Sequence, residues 1–306
     1  MFNDPLDLPG FVGQQRSSNG CTVTPDSIKT IGQSRIQYGP LSDRVYLMQL
    51  APGEAETVIT EMRKMAQAEG YTKLFAKIPS QSAPVFLDAG FEIEARIPDF
   101  YAGGDAALFV SHFRCEKRRR PSDAERIRKV REAALRKAGA GIPRPLPAGC
   151  DLTVMHADRA PQMAALYRRV FDSYPFPIFD PAYIRRSMDE NFSYVGILYE
   201  ATLIALASAE RTGSGVEMTD FATDPAHRRA SFGAHLLAAM EANARQDGVK
   251  TAFTIARAVS YGINILFARA GYTFGGTLVN NTNISGRVQS MNIWYKSLSP
   301  SALPEH

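Results

Sequence analysis

Apolar residues recur along this chain in two rhythms. Stretches 43–50, 71–78, 91–97 and 106–113 carry β-favouring apolar residues with polar ones interleaved, the rhythm of half-buried strands. Between the first two, 54–69 places Val58, Ile59, Met62 and Met65 at helical spacing. Residues 82–89 predict a short helix closed by Gly90, and Gly103-Gly104-Asp105 supplies a turn between the last two strands.

The last third repeats this order. Stretch 216–223 reads as a strand, 231–246 as a helix and 250–256 as a strand. A helix over 261–270 follows, capped by Gly271, and then closing strands over 272–279 and 290–296. The echo extends to residues: Gln67-Ala68-Glu69-Gly70-Tyr71-Thr72-Lys73 parallels Arg245-Gln246-Asp247-Gly248-Val249-Lys250. Phe86-Leu87-Asp88-Ala89-Gly90-Phe91 likewise parallels Phe267-Ala268-Arg269-Ala270-Gly271-Tyr272. The period is too long for a solenoid and predicts a duplicated α/β (α+β) unit. The second copy has further elements ahead of it: a strand over 151–156, and a helix over 160–171 with Met163, Leu166, Tyr167 and Val170 on one face. A stiff aromatic loop over 174–181, a short helix over 182–189 and a hairpin of 192–199 with 202–209 complete them. The expected division is 1–120, a charged helical linker over 121–149, and 150–298.

Composition narrows the class. At 306 residues and 33.6 kDa, with 45% hydrophobic and 22% charged residues, two globular domains are expected. The first residues show no basic n-region or apolar h-region, and no run is long and apolar enough to span a bilayer, so a cytoplasmic location is expected. Cys21, Cys115 and Cys150 form neither a disulfide framework nor a metal-ligand pattern, and no metal is expected. The net charge of +4 hides an asymmetry, because residues 114–137 hold eleven basic and four acidic side chains. The run Lys117-Arg118-Arg119-Arg120 lacks interleaved aromatics and a recognition helix. A solvated linker helix over 126–137 is therefore the expectation, with no nucleic-acid site.

The chemistry concentrates where the second copy turns from strand to helix. Asp224-Pro225 ends the strand, and Arg228-Arg229-Ala230-Ser231-Phe232-Gly233 leads onto a bare helix N-terminus. Unpaired first-turn amides, the helix dipole and two arginines make an anion cradle. This stretch resembles the pyrophosphate loop of the GNAT N-acetyltransferase superfamily, Arg/Gln-x-x-Gly-x-Gly/Ala, with Ser231 where the first glycine usually stands. The resemblance implies tandem GNAT-like units, acetyl-CoA as co-substrate, and a cofactor site over Phe221, Ala222, Thr223, Arg228, Arg229, Ala230, Ser231, Phe232, Gly233 and Ala234. Asn264 and Phe267 of the following helix would join it, with the Phe221 N–H as the nearest oxyanion donor. The first copy has Ala51-Pro52-Gly53-Glu54 at the matching place, without an arginine pair and with an acid that repels pyrophosphate. It is expected to be degenerate, serving packing, dimerisation or cover, with one acetyl-CoA site per chain.

A general base is expected on the strand before the loop, from Glu217 or Asp220, with Glu217 slightly favoured. Strand alternation puts these two on opposite faces unless a bulge intervenes. At the place where GNAT enzymes carry a tyrosine acid stands Phe267. Either Tyr261 replaces it or the thiolate leaves unaided, which a thiol pKa of about 8.5 permits.

The segments 260–268, 271–284 and 290–296, with 173–178 and 97–101, resemble the bacterial and archaeal β-lysine N-epsilon-acetyltransferase family over most of the chain. The resemblance implies transfer of acetyl to the side-chain amine of β-lysine, giving a compatible solute for osmoadaptation downstream of a lysine 2,3-aminomutase. Tyr174, Asp180, Asn280, Asn281 and Asn283 are the substrate-binding candidates, although turn chemistry explains the asparagines and Asp180 equally well. The alternatives are another small amine, a protein or peptide amine, and a non-catalytic acyl-CoA sensor. A homodimer is left open.

Overall fold

The computed structural model describes residues 15–16, 22–23, 26–141, 145–172, 174, 176–213, 215–228, 230–284 and 286–299. A two-residue ladder of Gln15–Arg16 (β1) with Thr22–Val23 (β2) lies apart from a thirteen-stranded sheet. The first half of that sheet comprises Ser27–Ile31 (β3), Ser34–Gly39 (β4), Arg44–Gln49 (β5), Lys73–Pro79 (β6), Glu92–Ile97 (β7) and Ala107–Phe113 (β8). Helix Ala55–Glu69 (α1) joins β5 to β6, and Ala83–Asp88 (α2) joins β6 to β7. Helices Glu116–Arg119 (α3) and Ala124–Leu135 (α4) lead to Cys150–Val154 (β9), then helices Ala160–Val170 (α5) and Pro181–Glu190 (α6). The rest is Phe192–Tyr199 (β10), Thr202–Thr212 (β11), Gly215–Thr223 (β12), Phe232–Gln246 (α7), Thr251–Arg257 (β13), Tyr261–Arg269 (α8), Thr273–Ile284 (β14) and Arg287–Ser297 (β15).

Outward from the middle, one half runs β7-β8-β6-β5-β4-β3 and the other β14-β15-β13-β12-β11-β10-β9. Each half holds one parallel pair, β5 with β6 and β12 with β13, among antiparallel neighbours. The halves meet edge to edge where β7 pairs antiparallel with β14, so the duplicated units share one mixed sheet flanked by helices. The β3–β4 hairpin has no counterpart among the expected elements. Its strands are short and largely polar, and the pairing with β5 holds them in the sheet.

The seam depends on close backbone approach. A Cβ on Gly275 would lie 2.7 Å from the Arg96 carbonyl oxygen, and one on Gly276 would lie 2.2 Å from that of Glu94. No side chain fits there. Beside them the buried Lys73 ammonium donates to Glu94 Oε2 at 2.8 Å and to the Val279 carbonyl at 2.7 Å. Glu94 Oε1 accepts the Val279 amide at 2.6 Å. Desolvation brings the Lys73 ammonium down to about 8, against the opposing pull of Glu94.

Two expectations need correction here. Strand β14 does not end at residue 279: it continues to Ile284 through an irregularity between Leu278 and Thr282, with Asn280 at φ 44°. Asparagine tolerates that left-handed backbone, so a segment that reads as loop stays in the ladder. The helix α4 is not solvated all round. Ile127, Val130 and Ala134 are buried along one stripe, with Ile127 packed on Ala258 and Val259 beside α8. The three arginines of the basic run before it are engaged in ion pairs: Arg118 is buried against Asp43 at 3.0 Å, Arg119 pairs with Glu92 and Arg120 with Glu116. Among the described residues no helix is long and apolar enough to cross a membrane.

Candidate active site

The cofactor half of the site is a consequence of strand divergence. The parallel ladder of β12 with β13 covers only Gly215↔Thr251 to Glu217↔Phe253. Beyond it β12 stays with β11 as far as Thr223, while β13 stays with β15 as far as Arg257. A wedge therefore opens along 218–223, with one backbone edge of β12 outside any ladder. At its mouth a 3₁₀ turn over Pro225–His227 leads to α7. Asp224 caps that turn through the Ala226 amide and pairs with Arg169 at 2.8 Å, and these bonds hold its carboxyl below the usual range.

A cleft of about 270 Å³ lies here, lined by Thr223, His227, Arg228, Ala230, Ser231, Phe232 and Gly233. The Ala234 amide donates to the Ser231 carbonyl at 2.9 Å. The amides of Phe232 and Gly233, at the head of α7, have no intrahelical acceptor and border the cleft. Arg228 is exposed at its rim, and Arg229 lies outside the described residues. Ser231 takes φ 60°, which explains why glycine is usual at this place in the loop. Ser231→Gly is expected to raise stability by about 0.5–1 kcal/mol, with acetyl-CoA affinity retained. Thermal melting and a titration with acetyl-CoA measure both effects, and a threefold loss of affinity would show that the hydroxyl itself contacts the cofactor.

Some expected cofactor residues act differently. Phe267 is fully buried, its ring 5.5 Å from that of Phe221 and 4.8 Å from that of Tyr272, so it backs the wedge from within the core. Asn264 is also fully buried. Its Nδ2 donates to the Arg257 and Ser260 carbonyls, and its Oδ1 accepts from Asn292 Nδ2 and Trp294 Nε1. All its capacity is satisfied inside the fold, which corrects its assignment to the cofactor. Ala222 packs its side chain into the α5–α6 core, leaving only its backbone for a ligand.

The acidic half is built by a bulge. Ser208 is opposite Thr219 and Leu206 opposite Ala222, so Ala207 alone faces both Asp220 and Phe221, and Asp220 adopts φ 53°. The extra residue resets the alternation and keeps Asp220 on the same face as Glu217 and Thr219. The two carboxylates that plain alternation separates thus share a face. Buried Asp220 is held tightly: Ser208 Oγ donates to Oδ2 at 2.6 Å, while the Tyr174 hydroxyl and Thr219 Oγ1 donate to Oδ1. Burial raises its pKa, and these three donors oppose the rise.

Glu217 is half-buried and lies directly opposite Glu210 on β11 and Phe253 on β13. Like charges at such a pair repel. Burial and the Glu210 charge push the Glu217 carboxyl up to about 8, while Lys77 of β6 pulls the other way. Burial raises Glu210 as well. Unlike Asp220, Glu217 accepts no hydrogen bond among the described residues, so its carboxylate is available to an incoming group.

The structure gathers Tyr174 with Asp220 but not the remaining substrate candidates. Asp180 caps α6 by accepting from the Ala182 amide. Asn280 Nδ2 donates to the Arg118 carbonyl and Asn283 Nδ2 to that of Leu41. The Asn281 carbonyl accepts from Arg44 at 2.8 Å. The side chains of Asn280 and Asn283 and the backbone of Asn281 bind the two halves together at the seam, a correction to the expected role of Asn280 and Asn283. Tyr261, first in α8, is 44% exposed and forms no hydrogen bond among the described residues. Sequence reasoning missed Ser208, Glu210 and Lys77. The first two face β12 across the β11–β12 pairing, which the sequence reading did not include, and nothing local links Lys77 to that strand. Among the described residues no three His, Cys, Asp or Glu side chains group as metal ligands.

A diverging parallel pair, an anion cradle at a helix head and a carboxylate at the divergence define an acetyl-CoA-dependent N-acetyltransferase. The chain belongs to the GNAT acetyltransferase family: the family model "Acetyltransferase (GNAT) family" matches residues 161–272, and whole-chain relatives agree. A β-lysine N(6)-acetyltransferase of Methanococcus maripaludis is 33% identical over 89% of this chain and 98% of its own length. One from Methanosarcina mazei is 28% identical over 80% of this chain and 98% of its own. The crystal structure of the ribosomal-protein-S18-alanine N-acetyltransferase of Escherichia coli aligns at 15% identity and a TM-score of 0.45, covering 51% of this chain and 99% of that one.

Proposed function

We propose that this chain moves the acetyl group of acetyl-CoA to the side-chain amine of β-lysine, with Glu217 as general base. The observation that carries the mechanism is the bulge that turns Asp220 to the face of Glu217, next to the diverging strands. For the substrate, the support is the whole-length likeness to β-lysine N(6)-acetyltransferases.

The first-turn amides of α7 and Arg228 hold the pyrophosphate, and the free edge of β12 holds the pantetheine arm. Glu217 takes a proton from the substrate ammonium, directly or through water, and the freed amine attacks the thioester carbon. The Phe221 N–H stabilises the oxyanion; the intermediate's nitrogen gives up its second proton to water, and collapse forms the neutral amide and expels the CoA thiolate. The thiolate either takes a proton from Tyr261 or leaves unaided, which a thiol pKa of about 8.5 permits. Asp220, fixed by Tyr174, Ser208 and Thr219, keeps a second negative charge beside the cationic acceptor.

Residues 150–298 form the catalytic unit in this reading, residues 1–120 a degenerate copy, and 121–149 the connection. The copy's would-be cradle is occupied by its own chain, since Glu54 accepts from the Gln33 and Ser34 amides and from Ser34 Oγ. One acetyl-CoA per chain is thus expected. The reading places the enzyme in the cytoplasm and makes its product a compatible solute. Following CoA release with β-lysine, a polyamine, an aminoglycoside and a lysine peptide as acceptors tests it. β-Lysine should give the highest kcat/KM, and preference for the peptide or the polyamine would replace this substrate with another.

A further inference from the structure

We infer that the first half of the chain completes the acceptor site, with Lys77 of β6 binding the carboxylate of the amino-acid substrate. This rests on the β-lysine reading and assigns the substrate's third charged group to a named residue.

Lys77 lies opposite Phe109 on β8, and Glu217 lies opposite Phe253 on β13. Phe109, Phe253 and Phe100 belong to a single core cluster that takes residues from both halves, with the rings of Phe100 and Phe253 5.4 Å apart. Lys77 and Glu217 therefore project toward the same shared interior from opposite sides of the seam. Lys77 Nζ lies 5.5 Å from the centre of the Phe100 ring, and its charge acts on Glu217 and Glu210.

A comparison within β6 shows what is unusual. Lys73, four residues earlier on the same face, is locked by Glu94 at 2.8 Å and by a carbonyl at 2.7 Å. The Lys77 ammonium forms no hydrogen bond among the described residues and has no carboxylate oxygen within the 4.0 Å of an ion pair. A half-buried lysine beside an aromatic ring costs free energy unless an anion meets it. Glu217 and Glu210 face the same space, yet neither forms an ion pair with Lys77. The set of Glu210, Glu217 and Asp220 with Lys77 complements β-lysine, which brings two ammonium groups and one carboxylate. A polyamine brings no anion and leaves Lys77 unmatched, so the same residue discriminates against it.

The test compares β-lysine with its carboxamide, 3,6-diaminohexanamide, as acceptors for the wild type, Lys77→Met and Lys77→Arg. The wild type should prefer β-lysine by about 10- to 100-fold in kcat/KM, the range of one charge-assisted contact. Lys77→Met should bring that ratio close to one, mainly through a higher KM for β-lysine, and Lys77→Arg should keep part of the preference. A ratio unchanged in Lys77→Met, whether or not overall activity falls, overturns the inference and leaves the substrate reading standing. A wild type that does not acetylate β-lysine overturns both.

Discussion

Replacing Glu217 by glutamine is expected to lower kcat by about 10²- to 10³-fold, with the acetyl-CoA KM within about twofold of wild type. The isostere keeps the packing around β12 but cannot take a proton, and the pyrophosphate cradle lies on a different element. Because burial and Glu210 push the Glu217 carboxyl up to about 8, wild-type kcat/KM for the amine should climb through the neutral range toward pH 8. That limb should be missing from the variant. If a Glu217→Gln enzyme retained wild-type kcat and its pH dependence, the base would have to be found elsewhere.

The same substitution should stabilise the protein, with a definite sign against pH. Below the ordinary value of 4.5 the glutamic acid is protonated in folded and unfolded chains alike. As pH rises toward about 8 the unfolded chain releases the proton while the folded one retains it, so the wild type steadily loses stability. Glutamine has no such loss. The Tm advantage of Glu217→Gln should therefore grow from acid to neutral pH and level off above about 8. An advantage that shrinks with rising pH would contradict the assigned direction. The burial of Glu217 beside Glu210 is then a stability cost tolerated for activity.

Removing Lys73 is expected to have the largest effect on folding. Lys73→Ala leaves Glu94 buried at the seam without its cation, a loss of about 3–5 kcal/mol. It also deprives the Val279 carbonyl of a donor. Urea denaturation measures the loss. The double variant Lys73→Met with Glu94→Gln removes both charges and should recover most of it, since the penalty comes from the stranded carboxylate. Equal losses in single and double variants would mean that packing, not charge, holds the seam.

The cofactor half was legible because its chemistry is local: strand, proline stop, basic turn and helix head follow one another within a few turns of chain. The duplication was legible for the same reason, as paired helix ends such as Phe86–Phe91 and Phe267–Tyr272. The acceptor half was not. Whether Glu217 and Asp220 share a face depends on the bulge at Asp220, a backbone choice that a run of alternating residues does not announce. The asparagines of β14 read as loop because their type favours turns, yet the Arg118 and Leu41 carbonyls that take the Asn280 and Asn283 side chains, and the Arg44 guanidinium on the Asn281 carbonyl, lie more than a hundred residues away. Lys77 is invisible for a related reason. Its meaning comes from the two halves sharing one sheet and one core, which no local pattern encodes.

The most direct test of the whole account is a steady-state comparison of β-lysine with α-lysine, with acetyl-CoA as donor and the acetylated nitrogen located by NMR. Higher kcat/KM is expected for β-lysine, with the acetyl group on its side-chain amine. No turnover of β-lysine, preference for α-lysine, or acetyl on the β-amine would contradict it.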